Sequence, residues 1–273
     1  MPDAALGVRL VPRVQAYLDE LVHTCEQIDQ PLVSLILFGS AASSGFSSVS
    51  DVDLMIVVPD GTTADRKCKL RAEVARLEIA HGFRPPQPTG TFQTRIERAV
   101  GHLFSCFICT RDDLLSGDVA RILTLQPWEA LFVDRIVLAS IVASAVTARG
   151  EDLLPRVPVP PVRRLDVFKA LFGFSCQIVL IVQIFPVFPD ATRYAMGTLK
   201  HSLHSCFFCY HRRTADLEKE VDFFDRRLGG SRTLGELLLL RRQYGKSFGF
   251  VTRCLPVLAR IHFLTAWDND FGS

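Results

Sequence analysis

Two aspartates two residues apart, Asp51 and Asp53, stand at the head of an apolar run, Asp-Val-Asp-Leu-Met-Ile-Val-Val (51–58). In an extended strand, side chains at i and i+2 share a face, so the two carboxylates project together while Val52 and Leu54 pack behind them. Paired carboxylates repel unless a cation sits between them, and hard oxygen donors of this kind select Mg²⁺ or Mn²⁺. Ten residues upstream the apolar run 32–38 ends in Phe38-Gly39-Ser40. Gly39 permits a close backbone approach. Ser40 adds a hydroxyl beside free backbone N–H groups, a combination suited to seating phosphate.

The elements around these residues follow from pattern. A helical stripe of Val11, Val14, Tyr17, Leu18, Leu21, Val22 and Cys25 predicts a helix over 11–28, and Pro31 ends it. Residues 32–38 and 51–58 read as buried strands, with a short helix and loop between them. Thr62 or Thr63 caps an amphipathic helix running to about Ala80. Residues 84–90 form a loop, 91–100 fit either strand or helix, and 102–109 read as a third buried strand. Residues 128–148 are strongly apolar. After the proline-rich stretch Pro155–Pro161 the periodicity is helical, over 162–185, 190–212, 214–228, 233–243 and 246–266.

Phe38-Gly39-Ser40, ten residues, then Asp51-Val52-Asp53 resembles the signature of the DNA polymerase β-like nucleotidyltransferase superfamily, in the wording of its aminoglycoside-type and minimal members. The order helix, strand, Gly-Ser turn, aspartate strand, helix extends the resemblance over about residues 1–80. It implies an α+β fold: a nucleotidyltransferase-like mixed β-sheet domain (1–155), a proline-rich linker (156–161) and an all-α helical bundle (162–273). The implied activity is transfer of a nucleoside monophosphate, AMP from ATP or another NTP, to a hydroxyl acceptor with release of pyrophosphate. Asp51 and Asp53 would hold Mg²⁺ (or Mn²⁺), and Gly39 and Ser40 would seat the nucleotide. The acceptor is a small molecule or a protein or RNA group.

The superfamily also supplies a third carboxylate from a neighbouring strand. The run 102–109 offers His102 and Ser105 instead, so Glu97, 46 residues after Asp51, is assigned that role, with Asp112 and Asp113 the alternatives just beyond. Lys200, on a predicted helix with Arg193 and His204, is assigned to the nucleotide's phosphates. Without a third acid, the chain would be a catalytically silent nucleotide-binding or antitoxin-like regulatory protein.

Composition fits this reading. The 273 residues suffice for a large core, and 48% hydrophobic against 22% charged residues exclude a disordered chain. Residues 1–161 hold 15 Lys/Arg against 19 Asp/Glu, a balance of −4, whereas residues 162–273 hold 16 against 10, a balance of +6. An acidic half suits metal ions and a basic half an anion. The eight cysteines sit mostly among apolar neighbours, and the first 25 residues lack a leader's apolar core. Reduced thiols in a cytoplasmic protein are expected. The Cys106/Cys109 and Cys206/Cys209 pairs are spaced by bulky apolar residues rather than turn formers, so core packing is expected there, not zinc. The run 170–189 is 20 residues without a charge. Its polar Ser175, Gln177 and Gln183 and its prolines Pro186 and Pro189 predict a central buried helix rather than a membrane span.

Overall fold

The computed structural model describes residues 10–42, 52–83, 106–125, 134–159 and 161–268. They fall into two compact units, one of residues 10–42, 52–83, 106–125 and 144–159, the other of 134–143 and 161–268.

The first unit is a four-stranded mixed sheet with helices. Its strands are β1 (Ser34–Phe38), β2 (Asp53–Val58), β3 (Cys106–Thr110) and β4 (Val146–Gly150), in the order β3-β2-β1-β4. β1 runs antiparallel to β2 and β4, and β2 runs parallel to β3. Helices α1 (Pro12–Gln27) and α2 (Ala64–Ala80) supply Val14, Tyr17, Leu18, Leu21, Leu70, Val74 and Leu77 to one core with Leu35, Leu37, Leu54, Ile56 and Ile108 of the strands. Thr63 caps α2 by accepting from the Arg66 amide, which decides between the two threonines. Two short helices follow β3, α3 (Arg111–Ser116) and α4 (Val119–Ile122). A capping box fixes the start of α3: the Thr110 side chain accepts from the Asp113 amide and the Asp113 carboxylate accepts from the Thr110 amide.

Strand β4 is an element the periodicity did not separate from the end of the domain. Val-Thr-Ala-Arg-Gly is half polar because it is an edge strand, with only Ala148 fully buried. Gly150 at its end takes φ +83°, which lets the backbone pass close to Val33.

The second unit is helical: α5 (Arg135–Ser144), α6 (Arg164–Ile184), α7 (Ala191–His211), α8 (Leu217–Leu228), α9 (Arg232–Arg242) and α10 (Phe248–Trp267). The five periodic segments after the prolines match α6 to α10 within a few residues. Helix α5 lies within residues 1–155 but packs with this unit, its Ile136 and Ala139 joining Val162, Val167, Ala170, Phe208, Cys209 and Ala266.

Helix α6 departs from the expected central buried helix. Val167, Ala170, Ile178, Ile181 and Ile184 face the core, whereas Leu165, Phe172 and Val179 are 69%, 60% and 47% exposed. It is the one described helix long and apolar enough to cross a membrane, yet only 28% of its apolar window is buried. An uncharged run forces a helix to be apolar on every face. It does not force every face to be covered.

All eight cysteines are free thiols. Cys206 and Cys209 are buried on α7, while on β3 Cys109 is buried and Cys106 half-buried. Burial raises all four, Cys109 and Cys209 to about 12.

Candidate active site

The site grows from the junction of β1 and β2. Their antiparallel register runs from Ser34 opposite Val57 to Phe38 opposite Asp53. The last residue of β1 is therefore the cross-strand neighbour of the first residue of β2. Gly39 comes next, opening a 3₁₀ turn over Gly39–Ala42.

Alternation along β2 sends Leu54, Ile56 and Val58 to the face packed by α1 and α2. Asp53 takes the other face with Met55 and Val57, and Val52, 1% exposed, packs behind it. Asp53 itself is half-buried. Its neighbour Phe38 stacks on Phe107 of β3, ring centroids 5.9 Å apart, so apolar rings floor that end of the sheet.

Gly39 adopts φ +63°, a left-handed conformation. A β carbon there would overlap Oδ2 of Asp53 and lie 3.1 Å from its Cγ. Glycine is required twice over, for the backbone angle and for the carboxylate's place beside the turn. Ser40 belongs to the turn by its backbone, and its side chain lies outside the described residues, as do Asp51 and Glu97.

Register fixes where the alternatives for the third carboxylate lie. β2 and β3 are parallel, with Leu54 opposite Cys106 and Val58 opposite Thr110. Asp112 and Asp113 follow Thr110 and so lie beyond the far end of β2 from Asp53. Asp113 is also engaged by the Thr110 cap, Lys67 at 3.6 Å and Arg121 at 3.0 Å. Those contacts hold its carboxyl below the usual range against the opposing effect of burial. It is a structural residue.

In the helical unit, Lys200 lies half-buried on α7, one turn before His204. His204 Nδ1 lies 2.5 Å from Oε2 of Glu220 on α8, without the alignment of a hydrogen bond. Glu220 is fully buried. Burial lowers His204 to about 3, helped by the nearby cations Lys200 and Arg241, and raises Glu220 to about 8. Sequence reasoning noted His204 and Lys200 but not Glu220. The available signal was a glutamate at a core position of the stripe Leu217, Glu220, Val221, Phe224. Asp134 is a second such group, 5% exposed and raised to about 7 by burial, although the Ile136 and Val137 amides donate to it.

Strand, glycine turn, aspartate strand and flanking helices define a nucleotidyltransferase domain, and residues 18–88 match the family described as nucleotidyltransferase domain. The match spans the segment that holds β1, the Gly39 turn, β2 and α2, and it supports an enzyme of the nucleotidyltransferase class. No curated protein matches it. Among solved structures it is similar to spectinomycin adenyltransferase AAD(9) from Enterococcus faecialis, determined with ATP and spectinomycin. The identity is 10% and the TM-score 0.57, over 93% of this chain and 99% of that one. At that identity the likeness shows a shared fold, a mixed sheet followed by a helical region.

Proposed function

We propose that this protein is a divalent-metal-dependent adenylyltransferase that moves AMP from ATP to a hydroxyl of a small-molecule acceptor and releases pyrophosphate. The observation that carries the proposal is the placement of Asp53 against the Gly39 turn, a carboxylate beside backbone held open by a missing side chain. The adenyltransferase of like fold, determined with ATP and a small-molecule acceptor, supports the choice of donor and acceptor class.

The donor set fits Mg²⁺ or Mn²⁺: Asp53 offers hard carboxylate oxygen, and Asp51 is assigned as its companion. A bound divalent ion would supply charge neutralisation on the phosphates and acidify the attacking hydroxyl. The turn at Gly39 and Ser40 would seat the phosphates through backbone N–H groups. Glu97 is assigned to accept the acceptor's proton. A new bond then joins the acceptor oxygen to the α-phosphorus, the α–β bridging bond breaks, and pyrophosphate leaves.

The test is calorimetric titration of ATP into the protein with and without Mg²⁺, beside Asp53→Asn and Asp51→Asn/Asp53→Asn. Metal-dependent binding that collapses in both variants is the expected result. Binding that survives in the double variant puts the nucleotide elsewhere and overturns the assignment. Intact binding in Glu97→Gln with transfer abolished is expected of a general base. No transfer by the wild type to any hydroxyl acceptor, despite metal-dependent binding, would identify a silent nucleotide-binding protein.

A further inference from the structure

Between Glu236 and Asp268 the chain runs 31 residues without an aspartate or glutamate, and within that span lie Arg241, Arg242, Lys246, Arg253 and Arg260. Glu236 itself is paired with Arg253 at 2.5 Å, so it does not offset the others. The cations at the start of this span are interleaved with rings in the segment Arg242-Gln-Tyr-Gly-Lys-Ser-Phe248, which joins α9 to α10.

The segment is built, not loose. The Tyr244 hydroxyl donates to the Pro189 carbonyl at 3.1 Å. The Ser247 amide donates to Thr192 Oγ1 at 2.9 Å, and Ser247 Oγ both donates to Glu236 and caps α10 by accepting from the Phe250 amide. Two rings are thereby fixed at the surface, Tyr244 at 42% and Phe248 at 50% exposure. The Arg193 guanidinium lies over Tyr244, 5.6 Å from the ring centroid. Phe248 packs on Phe185 at 5.0 Å, and Lys246 Nζ lies 4.8 Å over that second ring. Burial, with a smaller effect of the Asp190 carboxylate, raises the Tyr244 phenol.

Tyr244, anchored by its hydroxyl on the Pro189 carbonyl, and Phe248, packed on one side by Phe185, each leave about half of a large apolar surface in water, which costs hydration. Spaced four residues apart and alternating with cations, they match one polymer chemistry: flat bases separated by phosphates. An anionic bilayer asks instead for a continuous apolar face with cations at its rim. We propose that the α9–α10 segment, with Arg193 of α7, is a binding surface for single-stranded nucleic acid. Tyr244 and Phe248 stack on bases, and Arg193, Arg242 and Lys246 neutralise the backbone. This inference stands independently of the nucleotide site around Asp53.

The test is fluorescence anisotropy of the full chain with a fluorescein-labelled 12-nucleotide single-stranded RNA across a salt series, with ATP titration as a control. Tyr244→Ala and Phe248→Ala should each weaken RNA binding about tenfold, whereas Tyr244→Phe and Phe248→Tyr should retain it. Arg242→Glu/Lys246→Glu should weaken it and flatten the salt slope. ATP binding should stay unchanged in all of them, and each should remain folded by circular dichroism, with a fall of at most a few degrees in melting temperature. Absence of RNA binding by the wild type overturns the proposal. So does loss of binding only in the charge variant, with heparin competing as well as RNA, because that is polyanion attraction without base stacking. Binding to phosphatidylserine vesicles in place of RNA would assign the surface to lipid and overturn it as well.

Discussion

A β carbon on Gly39 would overlap a carboxylate oxygen of Asp53. The turn after β1 and the first residue of β2 are thus one unit, in which the missing side chain is the aspartate's space. Gly39→Ala should therefore do two things. Forcing alanine to φ +63° costs about 1–2 kcal/mol, which scanning calorimetry reads as a lower melting temperature. Displacing Asp53 should weaken Mg²⁺-dependent ATP binding by well over tenfold in the fraction that remains folded.

Asp53→Asn should separate function from stability. In the proposed role Asp53 serves a ligand, and a carboxylate so placed is a site where stability is given up. The variant should lose metal-dependent nucleotide binding and melt close to the wild-type temperature. A fall of several degrees in its melting temperature would mark Asp53 as structural.

The His204–Glu220 pair makes stability fall on both sides of a mildly acid window, about pH 4.5 to 6.5, by opposite linkages. Glu220 is raised from 4.5 to about 8, so its contribution is full below the unfolded value and is lost as pH rises through about 8. His204 is lowered from 6.5 to about 3, so its contribution is present above the unfolded value and is lost as pH falls toward about 3. Glu220→Gln carries no proton to lose. Its melting temperature should decline less than that of the wild type between about pH 7 and pH 9, above the Asp134 titration, while the acid limb persists. Equal alkaline decline in both proteins would show that Glu220 does not titrate in that window.

Thiol reactivity should divide the cysteines by exposure. Cys68 and Cys176 are exposed; Cys25, Cys109, Cys206, Cys209 and Cys254 are buried, and Cys106 is half-buried with its thiol raised by burial. Under native conditions at pH 8, a disulfide reagent should label two thiols rapidly and the remaining six only on unfolding. Mass mapping should find the early label at Cys68 and Cys176, and early label at Cys206 or Cys209 would contradict the packing of α7.

Much of this protein is readable in one dimension because its signals are local. Apolar periodicity and capping marked α1, α2 and the five helices α6 to α10, since a helix's buried stripe and its first-turn cap lie within a few residues of each other. Phe38-Gly39-Ser40 and Asp53 were legible for the same reason: a turn that needs glycine and a strand that carries carboxylates declare themselves by residue type. Strand β4 was not separated, because an edge strand is half polar and pairs with β1, over a hundred residues earlier.

What the tertiary structure decided is which local features meet. Strand register put Phe38 opposite Asp53 and Thr110 opposite Val58. That placed Asp113 beyond the far end of the sheet and turned a candidate catalytic acid into a helix cap. Helix packing buried Glu220 against His204, 16 residues apart on different helices, and left Phe172 and Val179 of an uncharged run in solvent. Residue type sets what a side chain can do. Its pKa, its partner and its exposure depend on which distant surface arrives beside it, and that information lies in the packing of elements rather than in any single segment.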